Sequence, residues 1–505
     1  MRSPSARWRH PRVRSRIVLR RSFLAVLVLA AAAPAASATL PAELQPAQFE
    51  LDNGMTFLVV ERPGRPLVSA VWAVRGGSAA DPPGLRGVAH VVEHLLFAGS
   101  RTIGTADWDA EARLLRQWER LYEDSVRRRR AAPGLARLEG RLARLQRPGE
   151  YSAVYTRAGA FGLDAETRHD STAFQVLVPE EKVELWFWME SDRLLEPVFR
   201  GFERELRVVE QERRQRIDSS PAGSWFELFD AAFWGAGHPY AHTPGGDRLE
   251  IAGLLPVSAR AHFEAAYGPE RLVAALVGDV SPERARELAE RYFGRLKRSS
   301  GAAGTVRFDD RSEPPAEPAV GSLDGLCACR TQIEIRYPTV PFDASGDAVA
   351  LDVLAGVLNG RSGRLHRRLV LGDAAVATSA SAQHVSRIRG GYFSVHIEAA
   401  GDTELAELLP AWDRLLAQIG ADGVERHELE RVRRQLTTDS FRQIETDTGL
   451  AHRLAAAEVL GGWRQLDGWF EAAAAVRPVD LERVIEAFLV ADKRAVLSLE
   501  RTGEG

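Results

Sequence analysis

The sequence predicts an α+β protein built from two domains of one design. Three observations lead there. At 505 residues the chain is too long for one ordinary core. A run at 300–325, rich in glycine and acids and carrying Pro314, Pro315 and Pro318, reads as a linker. The order of strand and helix patterns before that run returns after it, down to a last strand, Ala495 to Leu499, that matches Leu272 to Val277. The expected domains are 39–299 and 326–505.

The first 38 residues read as an export signal. Residues 1–21 are rich in arginine and lack acids, and the apolar run Phe23 to Ala33 is too short to span a bilayer. Ala36-Ser37-Ala38 supplies a cleavage site, and Arg20-Arg21-Ser22-Phe23-Leu24 resembles a twin-arginine signal as well as a long Sec one. No later stretch is apolar for long enough to form a stable membrane span. An exported protein, periplasmic or extracellular, is the expectation. A formal net charge of −3 argues against a general nucleic-acid binder, because no excess of positive charge exists to neutralise phosphates. The two cysteines, Cys327 and Cys329, alternate along an extended segment and would make a strained bridge. They read as structural.

In order, Asn53-Gly54 marks a hairpin ahead of a strand from Thr56 to Val60, and Val68 to Val74 is a second apolar strand. Gly87 then opens a helix that reads as buried nearly all round. Residues 107–150 form an inserted helical hairpin: Leu114, Trp118, Leu121 and Tyr122 recur at helical spacing, and Leu135, Leu138, Leu142 and Leu145 resume it after Pro133-Gly134. Thr172 to Val178 alternates as a strand, Lys182 to Leu195 is an amphipathic helix, and 257–267 and 281–294 are helices. Past the linker come a strand from Thr331 to Tyr337, helices at Ala348 to Leu358 and Leu365 to Val370, a strand from Tyr392 to Ile397 and a helix from Glu404 to Ile419. His427 to Gln435 echoes Glu203 to Gln215.

The chemistry sits at His90-Val91-Val92-Glu93-His94. Residues four apart on a helix share a face, so both imidazoles can grip one metal ion, and the Glu93 carboxylate hangs over the same space. This H-x-x-E-H order is the inverted form of the zinc-hydrolase helix. A catalytic zinc needs a third protein ligand and one open position. On the later helix, Glu205 and Glu212 are seven apart and share a face with Val208 and Val209, pointing inward, while Glu210 turns to solvent. Spacing does not rank Glu205 against Glu212. His238, His242 and His384 read as loop or surface residues.

Gly87 to Phe97 followed by Gly99, with Asp164-Ala165-Glu166-Thr167, Glu205 through Glu212, His238-Pro239-Tyr240 and Gly278-Asp279, resembles the pitrilysin/insulinase family of zinc peptidases (peptidase M16), including its mitochondrial processing peptidase branch. The likeness runs from about residue 47 to 500, as in a half-size bacterial member. It implies two homologous domains, each a mostly antiparallel sheet covered by helices, together forming one half-shell of a clamshell chamber. It also implies Zn2+ held by His90, His94 and Glu212, with Glu205 in support and Glu93 as general base on zinc-bound water. The C-terminal domain, lacking the motif, would be metal-free. The insertion at 107–150 accounts for the long interval from His94 to Glu212. Asp164 stands where the family usually has asparagine, and an ionised aspartate cannot donate a hydrogen bond to substrate.

The function so implied is an exported zinc metalloendopeptidase acting on peptides or unfolded polypeptides. Phe97, Asp164 and Ala165 would contact substrate, which would lie extended along a strand near Thr172 to Val178. A homodimer, or a heterodimer with a related subunit, would close the chamber. The rival readings are a non-catalytic or weakly catalytic peptide-binding subunit of a two-subunit peptidase, and another zinc amide hydrolase.

Overall fold

Ala47–Glu50 (β1) turns at Asn53-Gly54 into Thr56–Glu61 (β2), which it meets antiparallel. The Asn53 amide secures that turn by donating to the carbonyls of Phe293 and Leu296 at 2.8 and 3.1 Å. These strands begin the first of two sheets in a computed structural model that describes residues 40–130, 132–235, 237–298, 320–323, 330–342, 346–372 and 375–500. The export-signal stretch 1–38 and both cysteines lie outside the described residues.

Leu67–Arg75 (β3), Phe161–Thr167 (β4), Ser171–Pro179 (β5) and Leu272–Gly278 (β6) complete the first sheet, in the order β1-β2-β6-β3-β5-β4. The second sheet contains Val320–Leu323 (β7), Gln332–Thr339 (β8), Ala377–Arg387 (β9), Gly390–Ala399 (β10) and Ala495–Leu499 (β11), in the order β7-β11-β8-β10-β9. Each sheet is antiparallel apart from one parallel pair, β2 with β6 in the first and β7 with β11 in the second. Removing β1 leaves two sheets of the same order and the same strand directions. The fold is therefore α+β with a repeated design. Part of the stretch read as linker is β7, the counterpart of β2.

Among the described residues nine α-helices precede β6: Val88–Leu95 (α1), Trp108–Arg128 (α2), Leu135–Leu142 (α3), Glu150–Arg157 (α4), Val183–Leu195 (α5), Phe202–Arg213 (α6), Pro221–Trp234 (α7), the short Arg248–Ala252 (α8) and Pro256–Ala266 (α9). Alternation along the central strands divides the first sheet into two apolar faces. Trp72, Phe174, Val176 and Leu276 pack toward α1 and α5. Val71, Ala73, Val273 and Ala275 pack on the other side against Leu450, Ala451, Leu454 and Val459 of the helix Asp447–Leu460. That helix comes from the second half of the chain.

The exchange runs both ways. α7 covers the outer face of the second sheet, where Trp225, Phe229 and Phe233 meet Tyr392, Leu497 and Leu499. Arg336 of β8 is buried there in an ion pair with Asp230 of α7, its guanidinium 4.4 Å from the Phe229 ring centre. Each half thus lends a helix to the other's sheet. Every fully buried leucine on such a face contributes about 1.5–3 kcal/mol, so the two halves share one stability.

Candidate metal centre

α1 is built to hold its polar residues still. Gly87 occupies the left-handed cap position, and the Asp81 carboxylate accepts from Gly87 N at 2.6 Å and Ala89 N at 3.0 Å, which satisfies free donors at the helix start. Val88, Val91, Val92 and Leu95 are buried, as the pattern requires. His90 and His94 point from the same face, with their Nε2 atoms 3.3 Å apart. Ligand atoms of His90, Glu93 and His94 all lie within 4.8 Å of one another.

α6 packs on α1 through Leu206 and Val209. Val208, expected on the inner face, is 38% exposed. A helix rotates 100° per residue, and the inward stripe passes through Leu206, Val209 and Arg213 instead. Glu212 projects to the imidazoles from the rim of that stripe. One of its oxygens is 3.7 Å from His90 Nε2 and the other 3.7 Å from His94 Nε2. Glu205 lies instead 3.6 Å from His94 Nδ1, the ring nitrogen that does not face His90. The geometry therefore separates two carboxylates that spacing left equivalent. Glu212 is placed where a ligand would be, while Glu205 stands behind the His94 ring.

The donor set fits a divalent cation of borderline softness. Bonds of 2.0–2.1 Å at tetrahedral angles put ligand nitrogens about 3.3–3.4 Å apart. The imidazole pair meets that, and Glu212 needs to close by only a few tenths of an ångström. Glu205 against Nδ1 leaves the Nε2 lone pair of His94 free for a metal. His90 Nδ1 is buried and makes no hydrogen bond among the described residues.

Electrostatics divide the two histidines. Burial, helped by the charges of His94 and Arg216, pushes His90 down to about 3, so it is neutral and a lone-pair donor. Burial pulls His94 the same way, but the Glu205 carboxylate beside Nδ1 and the charges of Glu93 and Glu212 outweigh it and raise its pKa. Burial raises Glu93, against the pull of the hydrogen bond that Thr167 Oγ1 donates to it at 2.5 Å. Thr167 in turn contacts Thr172 Oγ1 at 3.1 Å, which ties the Glu93 carboxylate to β4 and β5.

A cleft of about 710 Å³ opens over these groups, and Phe97, Asp164, Ala165, Arg216 and Thr243 are in its wall. Phe97 rests on Phe174 and Tyr151, with the buried Arg193 guanidinium 5.4 Å from its ring centre.

Residues 56–113 match the family described as Insulinase (Peptidase family M16), and residues 258–436 match the Peptidase M16 inactive domain. The chain carries peptidase M16 domains. It is 23% identical over 418 residues to the zinc protease PqqE of Helicobacter pylori, across 82% of this chain and 83% of that protein. Its fold superposes on the crystal structure of a protease from Helicobacter pylori with a TM-score of 0.73 and 21% identity, over 90% of this chain and 100% of the other. It superposes on the first half of the periplasmic protease PqqL from Escherichia coli with a TM-score of 0.68 and 17% identity, over 92% and 93%. At these identities the superpositions speak for the fold alone. His90, Glu93 and His94 fall within the first M16 match, Glu205 and Glu212 fall between the two, and the inactive-domain match contains none of the five.

Three expectations change. The strand at Thr172 to Val178 is β5, paired with β3 on one side and β4 on the other, so no peptide can add to it. Among the described residues, the strand with an open edge beside the cleft is β4, which contains Asp164 and Ala165. His238 is 2% exposed and accepts from Tyr240 N, and the His384 side chain is buried against Asp352 at 2.8 Å. Neither is a surface residue, although His238 does sit in a loop, whereas His384 belongs to β9. Thr167 was named only as the end of the Asp164 to Thr167 motif, with no role, and Arg216 was not singled out from sequence. For Arg216 a signal exists, one helical turn beyond Glu212 and 3.7 Å from its carboxylate. For Thr167 the motif gave no role, because only tertiary pairing brings it to Glu93.

Proposed function

We propose that this M16-type protein is an exported, zinc-dependent endopeptidase acting on peptides or unfolded polypeptide segments. The observation that carries the reading is the convergence of His90, His94 and Glu212 on one point, with the Glu93 carboxylate beside it. His90, His94 and Glu212 would hold the zinc. Zinc, when bound, polarises the scissile carbonyl and acidifies the attacking water. Glu93 takes that water's proton and delivers it to the leaving amine, and its raised pKa suits both halves of the task. Thr167 holds the Glu93 carboxylate in place, and Glu205 keeps His94 in the right tautomer.

Substrate would pair as an added strand along the open edge of β4, with Phe97 forming a wall for the side chain nearest the cut. Export is supported by the N-terminal pattern, and no helix among the described residues is long and apolar enough to cross a membrane. A second half-shell, either a copy or a related subunit, would enclose the substrate.

The test is cleavage of internally quenched peptides by the purified chain. Activity should vanish on chelation, return with stoichiometric zinc and produce internal cuts. A protein that binds zinc tightly but cleaves nothing, alone or with a related subunit, would instead be the peptide-binding partner of a two-subunit peptidase.

A further inference from the structure

The inserted hairpin is not a passive addition to the fold. Arg200 lies one residue before Gly201, the cap of α6, and is buried together with Glu111 of α2. All five of its N–H groups are used. Nε and Nη2 donate to the two Glu111 oxygens at 2.8 and 3.1 Å. The others donate to the carbonyls of Ala98 and Ile103 at 3.0 and 3.1 Å, and of Ser100 at 2.6 Å. Those three carbonyls line the loop that leaves α1. One guanidinium therefore joins the exit of the histidine helix, the start of the glutamate helix and the insertion.

The loop is shaped for this contact. Gly99 and Gly104 take φ of 91° and 95°. A Cβ on Gly99 would stand 2.4 Å from the Ile103 carbonyl oxygen, and one on Gly104 would stand 2.7 Å from that of Ala98. Only glycine lets these carbonyls crowd inward to the guanidinium. From the far end of the hairpin, Gln146 donates to Glu111 at 3.0 Å, so both ends of the insertion meet at the carboxylate that holds the arginine.

We infer that the inserted hairpin is a positioning element of the metal centre: Glu111 fixes Arg200, and Arg200 sets the separation of α1 from α6, hence of His90 and His94 from Glu212. The inference rests on the zinc reading above. A buried carboxylate removed from a buried guanidinium leaves an uncompensated charge. The strain would fall on the junction between the two ligand-bearing helices.

The test is zinc affinity of the full chain, measured by competition with a chromogenic chelator, together with the visible spectrum of the cobalt-substituted protein. Glu111→Gln should weaken zinc binding by about 10–100-fold, as loss of groups that orient ligands does, and should shift the cobalt bands. Arg200→Lys keeps the charge without the five-bond fork and should move both readouts the same way. Leu288→Ala, a core truncation outside the cleft, should lower the melting temperature and leave both readouts unchanged. Folded Glu111→Gln and Arg200→Lys proteins with wild-type zinc affinity would overturn the inference alone, as would equal weakening by Leu288→Ala. A wild-type chain that takes up no zinc would overturn the zinc reading and this inference with it.

Discussion

Glu205 Oε2 lies 3.6 Å from His94 Nδ1, while His94 Nε2 faces His90 Nε2 at 3.3 Å. One imidazole thus has a carboxylate behind it and a ligand position in front, the arrangement in which an outer carboxylate orients a metal-bound histidine. Glu212, 3.7 Å from both Nε2 atoms, would hold the other position. The two glutamates should therefore fail differently. Glu205→Gln should lower zinc affinity by about 10–100-fold and keep one zinc per chain at saturation. Glu212→Gln should cost more, since a direct ligand is lost. Zinc titration against a competing chelator measures both, and the reverse ranking would exchange their roles.

The open edge of β4 makes a prediction about substrate rather than protein. An added strand bonds its neighbour through every second residue, because alternate N–H groups point to opposite edges. Methylating single backbone nitrogens of a cleaved peptide should suppress cleavage at alternate positions and spare those between. A scan of kcat/KM along the peptide reads this directly. Uniform sensitivity, or none, would remove strand addition to β4 from the mechanism.

What the sequence shows depends on how local each cause is. The helices carrying His90 and Glu212 were legible because their apolar residues recur at helical spacing. The repeated design was legible from pattern order, though the linker concealed β7, a four-residue strand that exists because β11 pairs with it. β4 was not assigned as a strand. Phe161, Asp164 and Glu166 are exposed on it, so an edge strand lacks the apolar alternation that marks β5. α7 escaped because its aromatic residues spread around the helix, some of them covering the other half's sheet. Spacing left the choice between Glu205 and Glu212 open for the same reason, and the family resemblance alone pointed to Glu212. Both share a helix with the right period, and it is contact with α1 that tells them apart in the fold.

His262, in the helix that packs beside α1, is buried, and burial alone pushes its pKa down from 6.5 to about 4. The sign follows from which state binds the proton. Below pH 6.5 the unfolded chain protonates this histidine and the folded one does not, so stability is full above 6.5 and declines as pH falls toward 4. The loss attributable to this residue is on the order of 3 kcal/mol. Urea unfolding at pH 7.5 and pH 4.5 should show a smaller difference for His262→Gln than for wild type. An unchanged difference would mean that His262 is protonated in the fold.

The most direct measurement is made on Glu93, whose carboxylate sits beside both imidazoles and is held by Thr167. Glu93→Gln preserves the side-chain shape and removes the base. The expected result is one zinc per chain with wild-type affinity, and cleavage of a quenched peptide slowed about 10²- to 10⁴-fold. A Glu93→Gln protein that holds zinc and cleaves at the wild-type rate would contradict the account.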